Sequence, residues 1–324
     1  MPLTESSGEL EMTGKHLAQT VRRTVFALLF AAVAALPSCG VQTARESSGG
    51  ERPERSEPAQ QADAADDAHS WYERGIKRSE EHNYKEAEQC FLRALMLAEK
   101  QHGAEDPMTA HYLDWLAYVY EESKQYDKAE QCLSRALAIR EKVLGPEHSD
   151  TLDSRNELAD LYVSRVQYSK AEPLYQNVLA IRKKQLGPEH PDVADSLHKL
   201  AGLYSNQGSY SQAESLYKQA LAIREKALGP EHYDLAGTLT ELAMLYDSHG
   251  QYSQAEPLYK RALAIEEKHS GPEHRNVGRA LQNLAELYDS QGQYSQAEPL
   301  HKRALAIDEK TLGPEHPDVG RKFL

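Results

Sequence analysis

Large apolar rings are scarce in this chain: 4 Phe and 2 Trp in 324 residues, against 18 Tyr. That skew points to one short pattern copied many times. Hydrophobic residues make up 40% and the mean hydropathy is −0.69, low for a packed globule. The length allows two or three globular domains or one elongated repeat array. Three cysteines are too few for a disulfide scaffold. Basic residues number 37 against 50 acidic ones, a net charge of −13. A surplus of that sign argues against nucleic acid as a partner, because a phosphate backbone needs Lys and Arg to displace its counterions. The chain lacks HExxH, paired CxxC, P-loop and GxSxG motifs, so an enzyme reading has no residues to stand on, and no cofactor is implied.

The longest apolar run, Thr24 to Leu36, has 13 residues. It is too short to cross a bilayer, which needs about 20. Lys15, Arg22 and Arg23 precede it, so residues 1–38 read as a secretory signal, with Met1 or Met12 as its start. Directly after it stands Leu36-Pro37-Ser38-Cys39. This resembles the lipobox of bacterial lipoproteins, at residues 36–39. The resemblance implies that Cys39 becomes the first mature residue and carries lipid chains, several of which together anchor stably. Gly40 after the cysteine, rather than Asp, implies an outer-membrane address facing the periplasm. Residues 39–67 are mostly Gly, Ser, Pro, Ala, Gln, Glu, Asp and Arg, with no aromatic. Such a stretch cannot bury enough apolar surface to fold and reads as a tether.

From residue 68 the chain repeats itself. Gly-Pro-Glu recurs at Gly145, Gly187, Gly229, Gly271 and Gly313, each 42 residues after the last. Tyr84, Tyr126, Tyr168, Tyr210, Tyr252 and Tyr294 keep the same period, as do Ala87 through Ala297. Residues 68–317 thus hold six units, and 318–324 begin a partial seventh first helix, with Phe323 where Leu281 stands earlier. Within each unit Leu281, Leu284, Leu287 and Tyr288 mark a helical stripe, and a turn follows. Ser-x-x-Glu (Ser211 with Glu214, Ser253 with Glu256, Ser295 with Glu298) predicts a capping box opening the second helix, with Asp127 in place of the Ser in the second unit. That places Pro173, Pro257 and Pro299 in the first turn, where a missing N–H costs least. Gly-Pro closes the helix, the glycine in a left-handed conformation.

The pattern resembles the tetratricopeptide repeat in its 42-residue form, seen in kinesin light chains and many bacterial arrays. The matching residues are the small one of the first helix (Gly75, Ala117, Ala159, Ala201, Ala243, Ala285), the Tyr after it (Tyr120 through Tyr288), the turn Tyr, the Ala opening helix two and Ala-Leu near its end (Ala136-Leu137, Ala304-Leu305). The resemblance implies an all-α fold, an α-solenoid wound as a right-handed superhelix of six hairpins, with a concave groove lined by first helices. Such arrays bind peptides or proteins and almost never catalyse. A lone hairpin cannot bury its own apolar face, so it needs stacked neighbours.

Carried onto this chain, the groove positions present Asp114, Glu121, Glu122, Asp153, Glu157, Asp160, Asp195, Glu241, Asp247, Glu286 and Asp289, opposed by Lys199 and Arg279. A cleft lined with one sign focuses its field, so a basic peptide or protein is the expected partner; a merely solvated polar face is the other reading. The family's carboxylate clamp needs Lys, Asn and Arg where this chain has acids. Tyr72, Ile76, Trp115 and Tyr118 fall near the same face and form either an apolar anchor for a partner or an N-terminal cap. Most of the Tyr are structural. Cys90 and Cys132 read as buried apolar residues, too far apart for a disulfide. His148, His190, His232, His274 and His316 form a row at solenoid spacing, which does not converge on one ion, so no metal is expected.

The resulting expectation is a non-enzymatic scaffold tethered to the bacterial cell envelope, of the kind that resembles assembly factors of pili and outer-membrane machines. A cytoplasmic regulatory module with an incidental apolar run is the second reading. The incompletely capped C-terminal end predicts weak self-association.

Overall fold

The computed structural model describes residues 67–313. The signal segment, Cys39, the tether to residue 66, His316 and the 318–324 segment lie outside the described residues. Twelve helices follow one another, with no strand among the described residues: α1 Ala68–Glu80, α2 Tyr84–His102, α3 Pro107–Glu122, α4 Tyr126–Val143, α5 Ser149–Ser164, α6 Tyr168–Leu186, α7 Pro191–Asn206, α8 Tyr210–Leu228, α9 Leu235–Ser248, α10 Tyr252–Ser270, α11 Arg275–Ser290 and α12 Tyr294–Leu312. Odd-numbered helices are the first and even-numbered the second of six hairpins. Each helix packs on its own hairpin partner, and each second helix packs on the next first helix. The result is an all-α repeat solenoid.

Small residues sit where helices approach. Ala117, Ala159, Ala201, Ala243 and Ala285 are fully buried, as are Ala87, Ala129, Ala171, Ala213 and Ala255. The first hairpin has Gly75 at the small position because Phe91 fills the space: a Cβ there would lie 2.7 Å from the Phe91 ring. Phe91 stacks on Trp115 at 5.7 Å, and Tyr72 meets Trp115 edge-on at the same distance, so the first two hairpins share an aromatic core. No helix among the described residues is long and apolar enough to cross a membrane.

Three local expectations are corrected. Second helices begin at the turn tyrosine, one residue before the predicted cap: Gln251 is the N-cap of α10, with no side-chain cap bond, and Ser253 lies inside the helix and exposed. The same holds for Ser211 and Ser295. Glu214 and Glu256 of those motifs are drawn to the next hairpin instead, while Glu298 accepts from Lys302 of its own helix. Tyr246 donates to Glu214 at 2.9 Å and Tyr288 to Glu256 at 3.0 Å; Tyr120, Tyr162 and Tyr204 do the same to Glu88, Glu130 and Glu172. A bond to a charged acceptor outweighs an exposed cap. Asp127 likewise leaves its cap role, its carboxylate lying 2.9 Å from Arg165. With the earlier start, Pro173, Pro257 and Pro299 occupy the sixth helical position, beyond the first turn, and each removes an intrahelical bond. Finally, Gly187 closes its helix at φ 88° and ψ 159°. That is a glycine-only region with extended ψ, not the left-handed helical conformation.

First helices are capped by the loop histidines of the row. His148, His190 and His274 accept the N–H two residues on at 3.1–3.2 Å through Nδ1, and His232 does so just ahead of α9. Asp106 takes this place one unit earlier. Each imidazole is therefore turned to its own helix end, where orphan N–H groups need an acceptor.

Candidate functional site

The acids expected on the first-helix face fall into two sets. In hairpins two to four, arginines of the second helices reach them. Arg140 grips Asp114 with both terminal nitrogens, at 3.1 and 2.5 Å, and donates to Ser154 of the next first helix at 2.5 Å. Arg182 holds Asp153 and Ser196, both at 3.1 Å. Arg224 holds Asp195 at 2.5 Å and also bonds Thr238. One planar guanidinium thus ties its own hairpin to the next, a task its fork of donors suits. Asp160 is satisfied twice over, by Lys199 Nζ at 2.9 and 3.0 Å and by the Tyr175 hydroxyl.

Hairpins five and six differ. The arginine register there carries Glu266 and Asp308, both buried. The Asp153 and Asp195 register carries Gly237 and Arg279. Around Tyr259 stand Asp247, Glu241 and Glu286, and the phenol is pushed well above its usual range, by burial first and then by these three carboxylates. The Asp247 carboxyl is raised by burial and by Glu286. Glu286 accepts from Gln282 at 2.9 Å, and Tyr217 donates weakly to Glu241 at 3.5 Å. Asp289 meets His301 at 2.8 Å. Glu122, at the other end, accepts from Tyr84 at 3.2 Å.

The aromatic group of the first hairpins is largely internal. Trp115 is 7% exposed, and Tyr72, Ile76 and Tyr118 are half-buried against the same core. Cys90 and Cys132 are free thiols, and burial pushes Cys132 up to about 11. His198, at the seam between the two sets, is pulled down to about 3 by burial, with Arg224 and Lys199 beside it. No group of three or more metal-ligating side chains with metal geometry occurs among the described residues.

Sequence reading missed the arginines. Their signal was the Ala-Ile-Arg triplet ending at 140, 182 and 224, which becomes Ala-Ile-Glu at 266 and Ala-Ile-Asp at 308. The Tyr259 register passed as plain core, because spacing alone does not say where a hydroxyl points.

A model of the tetratricopeptide repeat matches residues 66–130, 111–184, 166–226, 200–268 and 250–310. The chain belongs to the tetratricopeptide repeat family. Among solved structures it is similar to the nearly identical TPR-like repeats assigned to a kinesin light chain of Podosopora anserina, at 33% identity and a TM-score of 0.54, over 64% of this chain and 97% of that one. It is also similar to BtubC (BKLC) from P. vanneervenii, at 25% identity and a TM-score of 0.58, over 73% of this chain and 93% of that one. PilW, a type IV pilus biogenesis factor, shares the fold at 17% identity, with a TM-score of 0.52 over 78% of this chain and 96% of that one. A search of curated proteins gives no match. Repeats of this family serve as protein-interaction scaffolds.

Proposed function

We propose that the protein is a non-enzymatic scaffold that holds a basic peptide or protein segment on its first-helix face, mainly across hairpins five and six. The carrying observation is the carboxylate surplus there: Asp247 and Glu286 have no cationic partner among the described residues, while Asp114, Asp153, Asp160 and Asp195 are neutralised internally. A one-sign surface attracts opposite charge, and the attraction weakens with salt. The test is affinity for Lys/Arg-rich against acidic peptides over a range of ionic strength. Tighter, salt-sensitive binding of the basic set supports the reading; equal or salt-independent binding overturns it.

The scaffold is further proposed to be tethered to the bacterial envelope through Cys39, on the strength of the basic-apolar-Cys order of residues 15–39. Palmitate labelling with cell fractionation, comparing Cys39→Ala, tests this. Label and membrane recovery that vanish in the variant support the tether; an unlabelled cytoplasmic chain favours the regulatory module instead.

A further inference from the structure

The loop histidines hold their helices through one lone pair each. The N–H of Asp150 donates to His148 Nδ1 at 3.2 Å, that of Asp192 to His190 at 3.1 Å, that of Asp234 to His232 at 3.2 Å and that of Asn276 to His274 at 3.2 Å. An imidazole accepts there only while neutral; once protonated it has two donors and no acceptor. A cation is also disfavoured at a helix N-terminus, where orphan N–H groups carry partial positive charge. One proton therefore undoes each of these caps. The first two hairpins use carboxylates instead, Asp67 on the N–H of Ser70 at 2.7 Å and Asp106 on that of Met108 at 2.8 Å. A carboxylate as a class stays ionised through the range in which imidazole titrates.

Three of the four histidines have a second acceptor in place. A carboxylate oxygen of Asp150, Asp192 and Asp234 lies 3.9, 3.8 and 3.6 Å from the same Nδ1. A proton added there lets the ring donate to that carboxylate and stay on its helix. Hairpin six differs. Residue 276 is Asn, and its side-chain amide donates to the Tyr233 hydroxyl of hairpin five at 2.9 Å. No other group around His274 replaces the missing carboxylate. Arg275 beside it is a cation, Glu273 is held by Lys310 of α12, and His269 at the end of α10 is engaged with the Glu231 carbonyl at 2.8 Å. The loop glutamates beside the other three, Glu147, Glu189 and Glu231, are held in the same way by Lys184, Lys226 and Lys268, and His269 stands 6.4 Å from His232.

We propose that the first turn of α11 is an acid-released latch. Protonation of His274 frees the N–H of Asn276, and the entry of hairpin six, with its Asn276–Tyr233 tie to hairpin five, loosens before that of any other hairpin. α11 also carries Glu286 and Asp289, so acid would act on the face assigned to a partner above. That consequence rests on the scaffold reading; the latch itself does not.

The test is hydrogen exchange of the full chain followed by mass spectrometry, with rates divided by their intrinsic values at pH 7.5 and pH 5.5. Between these values protection over residues 275–280 is expected to fall about fivefold, the loss of one cap. The matching stretches of α5 and α7 should fall less, and residues 107–112, capped by Asp106, should hold. His274→Asp, which copies Asp106, should abolish the fall. Asn276→Asp, which supplies the carboxylate of the other histidine hairpins, should lessen it. Circular dichroism at pH 7.5 checks that both variants keep their helix content, and the comparison of stretches within the wild type needs neither. Constant protection over 275–280 in the wild type, or a full fall in His274→Asp, would overturn the latch. An equal fall over 107–112 would do the same, since it would make the loss a property of the whole fold.

Discussion

Hairpins two to four and hairpins five and six bury opposite charges at one and the same register. Arg140, Arg182 and Arg224 in the first set become Glu266 and Asp308 in the second, while Asp153 and Asp195 opposite them become Gly237 and Arg279. The register tolerates either sign provided the facing first helix changes with it. Asp247 and Glu286 of the second set lie at other registers, and neither has a cationic partner among the described residues. Structural pairing consumes charge in one region and the other keeps it available.

The largest way to break this comparison is to strip the arginine of its partner. Asp114→Ala removes both bonds that the Arg140 guanidinium, 11% exposed, makes to that carboxylate. Such a loss costs about 3 kcal/mol. Glu266, which accepts from the Ser270 hydroxyl at 3.2 Å, should lose under about 1 kcal/mol on change to Gln. Urea unfolding of both variants checks this; equal costs would mean that both regions use one kind of pair.

His198 sharpens the boundary between the regions. Its folded value, about 3, lies below the usual 6.5, because burial and the cations of the first set disfavour the charged ring. The unfolded chain therefore takes up this proton first as pH falls. The stabilising contribution is full above 6.5 and is lost progressively toward 3. Between pH 7 and pH 5 the loss attributable to this ring is about 2 kcal/mol. His198→Gln should flatten that part of the stability profile, and an unchanged slope would show that the ring is solvated.

Most of the architecture was legible because the repeat writes it six times. The alanines, tyrosines and Gly-Pro closures fix hairpin number and length through helix contact and backbone geometry, which depend on local residue type. What stayed hidden lies between hairpins. Ser253 and Glu256 make a sound capping motif when read alone; only the Tyr288 hydroxyl of the following hairpin shows why the glutamate faces elsewhere. Asp114 and Asp153 read as exposed acids until the arginines 26 and 29 residues later are placed beside them. A motif's neighbours along the chain were visible, and its neighbours in space were not.

The turns repeat the contrast on a smaller scale. Hairpins one to three place His82, Lys124 and Val166 at positive φ, and hairpins four to six place Gly208, Gly250 and Gly292 at the same position. Val166, at φ 59°, is the worst fit, since its branched Cβ crowds the following carbonyl. Val166→Gly should raise stability by about 1 kcal/mol despite the freedom glycine adds to the unfolded chain. A loss instead would mean that the valine side chain contributes packing that its 68% exposure conceals.

The smallest effect belongs to a feature both regions share. Lys142, Lys184, Lys226, Lys268 and Lys310 pair with the loop glutamates Glu105, Glu147, Glu189, Glu231 and Glu273 of the preceding unit. These pairs are the most regular in the molecule, and both side chains stay in water, 66% and 65% exposed at Lys226 and Glu189. Holding two long side chains together costs nearly what the screened attraction returns. Lys226→Ala should therefore move the melting temperature by about 1 °C or less. Thermal melts at low and high salt check it. A shift of several degrees would make the surface row, which is alike in hairpins two to six, a stronger tie than the buried charges that differ, and the contrast between the two regions would lose its energetic basis.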